Sequence, residues 1–412
     1  MPIPKINPPI LVESDLRPIS ITSGISKVAE SFVCSFFNDH FDKLIDTNQF
    51  GCTSSRSTVL ALIKICDLLF RSADNSSNFI RILFIDFSKA FDVVDHNILL
   101  KKFEAYDFPP HIVAWSLFFL QERTQFVRVK NTNSTCRILN AGTPQGTRSG
   151  PNDFKLLIND LSFDIDYAKY VDDTTVVSVS SDPGDRSLQS AADRLLDWCV
   201  DNHMQINAKK TKEMVIYFGK KFAKDAVPFV TFTSDQIERV DTFKLLGVIF
   251  SSDLSWGPHV LYLLSTVSKR YYLIFQLARV GVAQHDIIRI YCAIIRSVLE
   301  YACAVWHSGL TTAQSNDIER VQKRCLRIIF PELSYSDALF VAGLDRLSVR
   351  REQIVRDTFK NMQLPSHILH NLLPSKHDHQ FNSRDKYSYL LPVARTQRYA
   401  NSFIPYCIRK RY

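Results

Sequence analysis

From Val59 to Phe70 apolar residues recur as they do on a packed helix, and a turn-rich break from Ser72 to Asn78 follows. The next run, Phe79 to Phe87, reads Phe-Ile-Arg-Ile-Leu-Phe-Ile-Asp-Phe, a continuous β-rich stretch of the kind buried on both faces of a sheet. Around Asp172-Asp173 two further apolar runs, Ala168 to Val171 and Thr174 to Val177, predict a strand, a tight turn and a second strand. A break at Ser180 to Gly184 leads into Arg186 to Asn202, where Leu188, Ala191, Ala192, Leu195 and Cys199 fall at helical spacing, and then into a strand over Met214 to Phe218. Strand, hairpin, helix and strand together predict an α+β fold. After a third break, Ser251 to Pro258, the pattern turns helical: Val260 to Ala278, Gln284 to Tyr301 and Asn316 to Ile329. Low-complexity tracts and obvious repeats are absent.

Two features of this pattern carry chemistry. Asp86 sits in an otherwise apolar strand, and burying an unpaired carboxylate costs several kcal/mol, so it is paired, protonated or metal-bound. Alternatively it ends the strand and caps the following helix, as Ser88 could also do. The Asp172-Asp173 pair is either a solvated turn or a ligand pair. Asp86 and Asp172 on neighbouring strands would make a cluster of hard oxygen ligands suited to Mg²⁺.

At this point several motifs stand in order: Asp-Phe-Ser-Lys-Ala-Phe-Asp (Asp86 to Asp92), Gly-Thr-Pro-Gln-Gly-Thr (Gly142 to Thr147) and Tyr-Val-Asp-Asp (Tyr170 to Asp173). They resemble a reverse transcriptase of a non-LTR retrotransposon of the jockey or CR1 type. Leu16 to Ser20 resembles that family's fingers motif, Gln49-Phe50-Gly51 its next block, Asn207 to Lys212 the motif after the metal hairpin, and Phe243 to Gly247 its primer grip. Leu299 to Trp306 and Glu319 to Arg324 are similar to thumb and post-thumb segments.

The resemblance implies a right-hand polymerase: fingers and palm with an antiparallel sheet and helices over residues 1–250, a helical thumb and post-thumb over 251–345, and a C-terminal extension over 346–412. It implies an RNA-directed DNA polymerase acting on an RNA template, a DNA primer and dNTPs through two Mg²⁺ ions, with Mn²⁺ as a substitute. Asp86 and Asp172 would hold the metals, with Asp173 a looser partner. Lys210 matches a lysine that protonates pyrophosphate, beside Lys209 and Lys212. Lys5 and Arg17 match residues that clamp the triphosphate. Gln145 and Gly146 would lie beside the incoming nucleotide, where glycine lets backbone approach a ligand. Phe91, a turn beyond Asp86, matches a position packed against the sugar, and core packing is its alternative. Leu245, Leu246 and Gly247 would grip the primer.

Departures qualify this. Ser149, Asn152, Asp153 and Lys155 stand at commonly apolar positions. Phe154, Leu157, Ile158 and Leu161 still form a stripe, which predicts Asn152 pointing away, with Asp153 and Lys155 flanking and Asp153 repelling template phosphates. The resemblance also implies an endonuclease and further fingers ahead of the first residue, so the chain reads as N-terminally incomplete. A relict that binds nucleic acid without polymerising is therefore the competing expectation.

Composition adds little. With 412 residues, 46% hydrophobic and 22% charged, the chain can bury a sizeable core, and its net charge of +8 suits a polyanionic partner. Nine cysteines without CxxC pairs predict buried free thiols rather than disulfides or zinc. There is no signal peptide and no membrane-length apolar stretch, so the expected protein is not secreted, and the resemblance places it in the nucleus.

Overall fold

The computed structural model describes residues 2–4, 16–129, 131–223, 226–233, 235–376 and 389–412. Short strands β1 (Pro2–Pro4) and β2 (Leu16–Pro18) pair antiparallel ahead of helix α1 (Gly24–Phe41), and α2 (Thr58–Ser72) precedes β3 (Phe79–Ile85). Helices α3 (His96–Ala105) and α4 (Pro110–Leu120), small two-residue strands and α5 (Gly150–Leu157) lead to the hairpin β4 (Asp166–Tyr170) and β5 (Asp173–Ser180). Helix α6 (Ser187–Asp201), β6 (Lys212–Ile216), β7 (Glu238–Arg239) and a second hairpin, β8 (Thr242–Leu245) and β9 (Val248–Ser251), complete the α+β part. The rest is helical: α7 (Gly257–Ser268), α8 (Tyr271–Arg279), α9 (Gln284–Tyr291), α10 (Thr312–Ile329), α11 (Tyr335–Ala342), α12 (Leu347–Met362) and α13 (Phe403–Arg409).

The main sheet runs β7-β6-β3-β5-β4, with β3 at its centre and every pair antiparallel except β6–β7. Alternation along β3 explains why the strand is apolar throughout. Ile80, Ile82 and Phe84 face α2 and the C-terminal helices, in one core that also takes Met214, Ile216 and Trp306. Leu83 and Ile85 face the opposite way, against α1, α5 and α6 through Phe41, Phe154 and Leu195. Arg81 is the exception on that strand. It is buried, and its guanidinium donates twice to the buried Glu213 on β6, at 2.9 and 2.7 Å.

Two expectations on the helical part are adjusted. The predicted helix Val260 to Ala278 is two helices, α7 and α8, broken at Lys269–Arg270. Gln284 to Tyr301 starts as α9 and continues through a π-helical segment, Cys292–Arg296, into Ser297–Glu300. All nine cysteines are free, but Cys52 and Cys136 are exposed rather than buried. No described helix is long and apolar enough to cross a membrane.

Candidate active site

The last pairing between β3 and β5 is Ile85 with Thr174, so the next rung sets Asp86 opposite Asp173. By strand alternation both side chains leave the sheet on the face that carries Phe84 and Thr175. They line a cleft of about 410 Å³, with Lys209, Lys210, Lys212 and Lys244 among its other walls. Asp86 does not cap a helix: the next helix, α3, is capped by Asp95, and Ser88 spends its N–H on the Gln205 carbonyl. The Asp86 backbone is instead tied to the loop before β6, donating to Thr211 Oγ1 at 3.2 Å and accepting from Asn207 N–H at 2.8 Å.

Asp86 Oδ2 is buried and has no hydrogen-bond partner; Lys210 Nζ lies 3.8 Å from it. Desolvation first, then the Asp172 and Asp86 charges, push the Asp173 carboxyl up to about 6, although the residue keeps an exposed edge. Asp172 lies in the turn itself, half-buried, and raises both Asp173 and Cys52. An orphaned carboxylate oxygen beside mutually repelling carboxylates is a donor set that a hard divalent cation would relieve. Among the described residues no group of three or more His, Cys, Asp or Glu is placed to hold a metal unaided, so waters and substrate phosphates would have to complete the shell.

The turn is built from outside. Val171 has φ +59°, a conformation strained for a β-branched residue. Gln49, wholly buried, accepts both the Val171 N–H at 3.0 Å and the Gly51 N–H at 2.8 Å through Oε1. A Cβ on Gly51 would come within 2.5 Å of the Val171 nitrogen, so only glycine fits beneath the turn. Lys169, also wholly buried, anchors β4: its ammonium reaches the carbonyls of Ile158 and Leu161 at 2.9 and 2.7 Å and pairs with Asp46 at 2.8 Å.

The Gly142 to Gly146 loop is laced onto the loop after Asp86. Gly142 N–H donates to Val94 and Thr143 N–H to Phe91, both at 2.8 Å. Gly142 and Gly146 have φ +88° and +102°, and what approaches them is the chain's own backbone, Asp92 and Ser20, at 2.8 Å from a would-be Cβ. Gln145 donates its amide to Asp92 Oδ1 at 3.0 Å. Phe91 stacks on Phe154 at 4.8 Å between centroids while remaining half-exposed. Arg17 lies on β2 opposite Ile3, and Lys5 lies outside the described residues.

Leu245 closes one side of the cleft, and Phe243 of the same strand stacks on Phe84 at 4.0 Å. The β8–β9 turn has φ +44° at Leu246 and +86° at Gly247. Tyr301 holds it, donating to the Leu246 carbonyl at 2.8 Å, with its ring against Gly247.

Residues 3–250 match the family described as reverse transcriptase (RNA-dependent DNA polymerase). The chain belongs to the reverse transcriptase family. Its relatives include a probable RNA-directed DNA polymerase from transposon BS of Drosophila melanogaster, 25% identical over 76% of this chain and 36% of the relative. The RNA-directed DNA polymerase from mobile element jockey, of the same organism, is 26% identical over 59% of this chain and 28% of its own length. The chain thus spans about a third of these relatives. Among solved structures, apo telomerase from Candida tropicalis aligns over 79% of this chain and 55% of its own with 11% identity and a TM-score of 0.42.

One expectation about this chain fails. Asn152, Asp153 and Lys155 are all buried, because α5 is enclosed on every side rather than along one stripe. Phe154, Leu157, Ile158 and Leu161 are buried as predicted. Lys155 finds Asn38 Oδ1 at 3.2 Å and the Cys52 carbonyl at 3.1 Å. Burial, then the Glu30 charge, hold the Asp153 carboxyl well above the usual carboxylate range, which favours its protonated form, and the enclosed side chain does not face a template path as expected. Glu30 is itself buried and accepts the Arg148 N–H at 2.6 Å, just ahead of α5. Nothing local in the sequence marks Glu30 or the partnership of Gln49 with Val171. Lys169 did carry a signal, a charge between Ala168 and Tyr170 in a run that leads into the hairpin turn.

Proposed function

We propose that this chain carries the polymerising site of a mobile-element reverse transcriptase. It would add a deoxynucleotide from a dNTP to the 3′-hydroxyl of a DNA primer paired with an RNA template. The observation that carries this reading is the meeting of Asp86 and Asp173 in a cleft rimmed by lysines, with Asp172 in the adjoining turn. Asp86, Asp172 and Asp173 are the residues that would hold Mg²⁺ or Mn²⁺. A divalent ion bound there lowers the pKa of the primer hydroxyl and offsets charge on the leaving pyrophosphate.

The chain's own groups do the rest. Lys210, 68% exposed and 3.8 Å from Asp86, is free to swing its Nζ onto a pyrophosphate oxygen and give it a proton. Leu245, on the cleft wall, orients the primer end, and the Tyr301 bond to Leu246 fixes the turn beneath it. Gln145, braced by Asp92, presents its edge to the nucleotide, and the open side of Phe91 excludes a ribose 2′-hydroxyl.

Primer extension on poly(rA)/oligo(dT) tests the reading. Incorporation of dTMP that requires Mg²⁺ and is abolished by Asp86→Asn or Asp172→Asn is expected. Tight template binding without incorporation would sink the polymerase and leave a nucleic-acid-binding relict.

A further inference from the structure

Helix α10 carries Arg320, Lys323, Arg324 and Arg327 at i, i+3, i+4 and i+7, a single stripe about 10 Å long at 1.5 Å per residue. Its other side, with Ile318, Val321, Cys325 and Leu326, is buried. Along the stripe runs a groove of about 840 Å³, whose far wall is Leu264 and Ser268 of α7 and Tyr271 of α8. Asp317 pairs with Arg320 at 2.5 Å, while Lys323, Arg324 and Arg327 have no carboxylate within 4.0 Å among the described residues. Arg324 lies 4.6 Å over the Tyr271 ring, which draws a cation and an aromatic face together at the groove.

This groove is not a continuation of the cleft at Asp86. On α7, Tyr262 turns toward that cleft, where its hydroxyl accepts from Lys244 at 2.7 Å. Leu264 and Ser268 follow two and six positions later, roughly 200° and 240° around a helix of 3.6 residues per turn, and so open on the other side.

We infer that the groove between α10 and the α7–α8 corner is a second nucleic-acid site, which takes the phosphates of single-stranded RNA on the side of the helical region turned away from the cleft. A cationic rim, apolar walls and a ring at the edge are the parts that hold single strands by charge and stacking. The exposed Ser268 hydroxyl gives its proton to the Ser265 carbonyl at 2.8 Å and keeps lone pairs that can accept from a ribose 2′-hydroxyl, which favours RNA over DNA. The site stands apart from polymerisation, and its test does not need an active enzyme.

Binding of a fluorescein-labelled (rU)8, too short to serve both faces, is measured by anisotropy without metal or dNTP. In the full chain carrying Lys209→Gln, Lys210→Gln and Lys244→Gln in the cleft, binding is expected to persist. Adding Lys323→Gln, Arg324→Gln and Arg327→Gln should weaken it at least tenfold and cut the slope of log K against log salt by about 2, at roughly 0.7 per lost phosphate contact. These exposed positions keep their helix propensity with Gln, and an unchanged circular dichroism melt checks folding. Arg324→Lys with Arg327→Lys keeps the charge and should keep the slope. Affinity and slope untouched by the three stripe substitutions overturn the proposal. So do (dT)8 bound as tightly as (rU)8, and poly-glutamate competing as well as RNA, which would assign the groove to an acidic peptide.

Discussion

Gln49 Oε1 accepts the backbone N–H of Val171 at 3.0 Å, so a buried amide from the loop before α2 sets the turn that carries Asp172. The strained φ of Val171 persists because Gln49 and the bare Gly51 beneath it leave no alternative.

Gln49→Leu should therefore cost stability and activity together. It leaves the Val171 and Gly51 donors unpaired, at about 1–3 kcal/mol each. A lower urea midpoint with unchanged m-value, alongside reduced primer extension, is the expected result. Gly51→Ala should be at least as harmful, since its Cβ would meet Val171 at 2.5 Å.

Asp173 makes the site sensitive to pH. Its carboxyl is raised from 3.8 to about 6, so between those values the folded state binds more protons than the unfolded one, and stability falls as pH rises through the window. A divalent cation needs the ionised form. The rise in melting temperature on adding Mg²⁺ should therefore be small at pH 5 and grow through pH 6 to 7.5. Asp173→Asn should flatten that growth; a metal response that stays equally steep would assign the titration elsewhere.

Phe91 separates two roles. Phe91→Ala should lower stability by about 2 kcal/mol, less than the roughly 3–5 of a fully buried ring, because Phe91 is half-exposed. If its open side also faces the sugar, the ratio of rNTP to dNTP incorporation rises in the same variant. Lost stability with an unchanged ratio would leave Phe91 as a packing residue against Phe154.

Asp153 should hold its proton to higher pH than an ordinary carboxylate. Its carboxyl is raised well above 3.8, so its contribution to stability declines as pH climbs past the unfolded value. Asp153→Asn, which keeps the shape without the titration, is expected to match the parent at pH 4 and to exceed it at pH 8 in thermal unfolding. The opposite ordering would mean that the ionised form is paired.

Elements whose pattern is local were legible in the sequence. The alternation of β3, the stripe on α6 and the Asp172-Asp173 hairpin follow from residues a few positions apart, and ordered short motifs sufficed to place the chain among reverse transcriptases. What needed the third dimension was whatever depends on distant partners. Periodicity predicts Asn152 pointing away and Asp153 and Lys155 flanking because it registers one apolar stripe, and it cannot register that α1, with Glu30 and Asn38, encloses the rest of α5. The glycines at 142 and 146 signalled a close approach, and only packing identified the approaching group as backbone from Asp92 and Ser20. Local sequence determined which segments are strands, helices and turns, since those depend on neighbours along the chain. Tertiary structure decided which carboxylate faces Asp86 and what holds the turn beside it, because burial, charge repulsion and hydrogen-bond satisfaction are set by groups that meet only when the chain has folded.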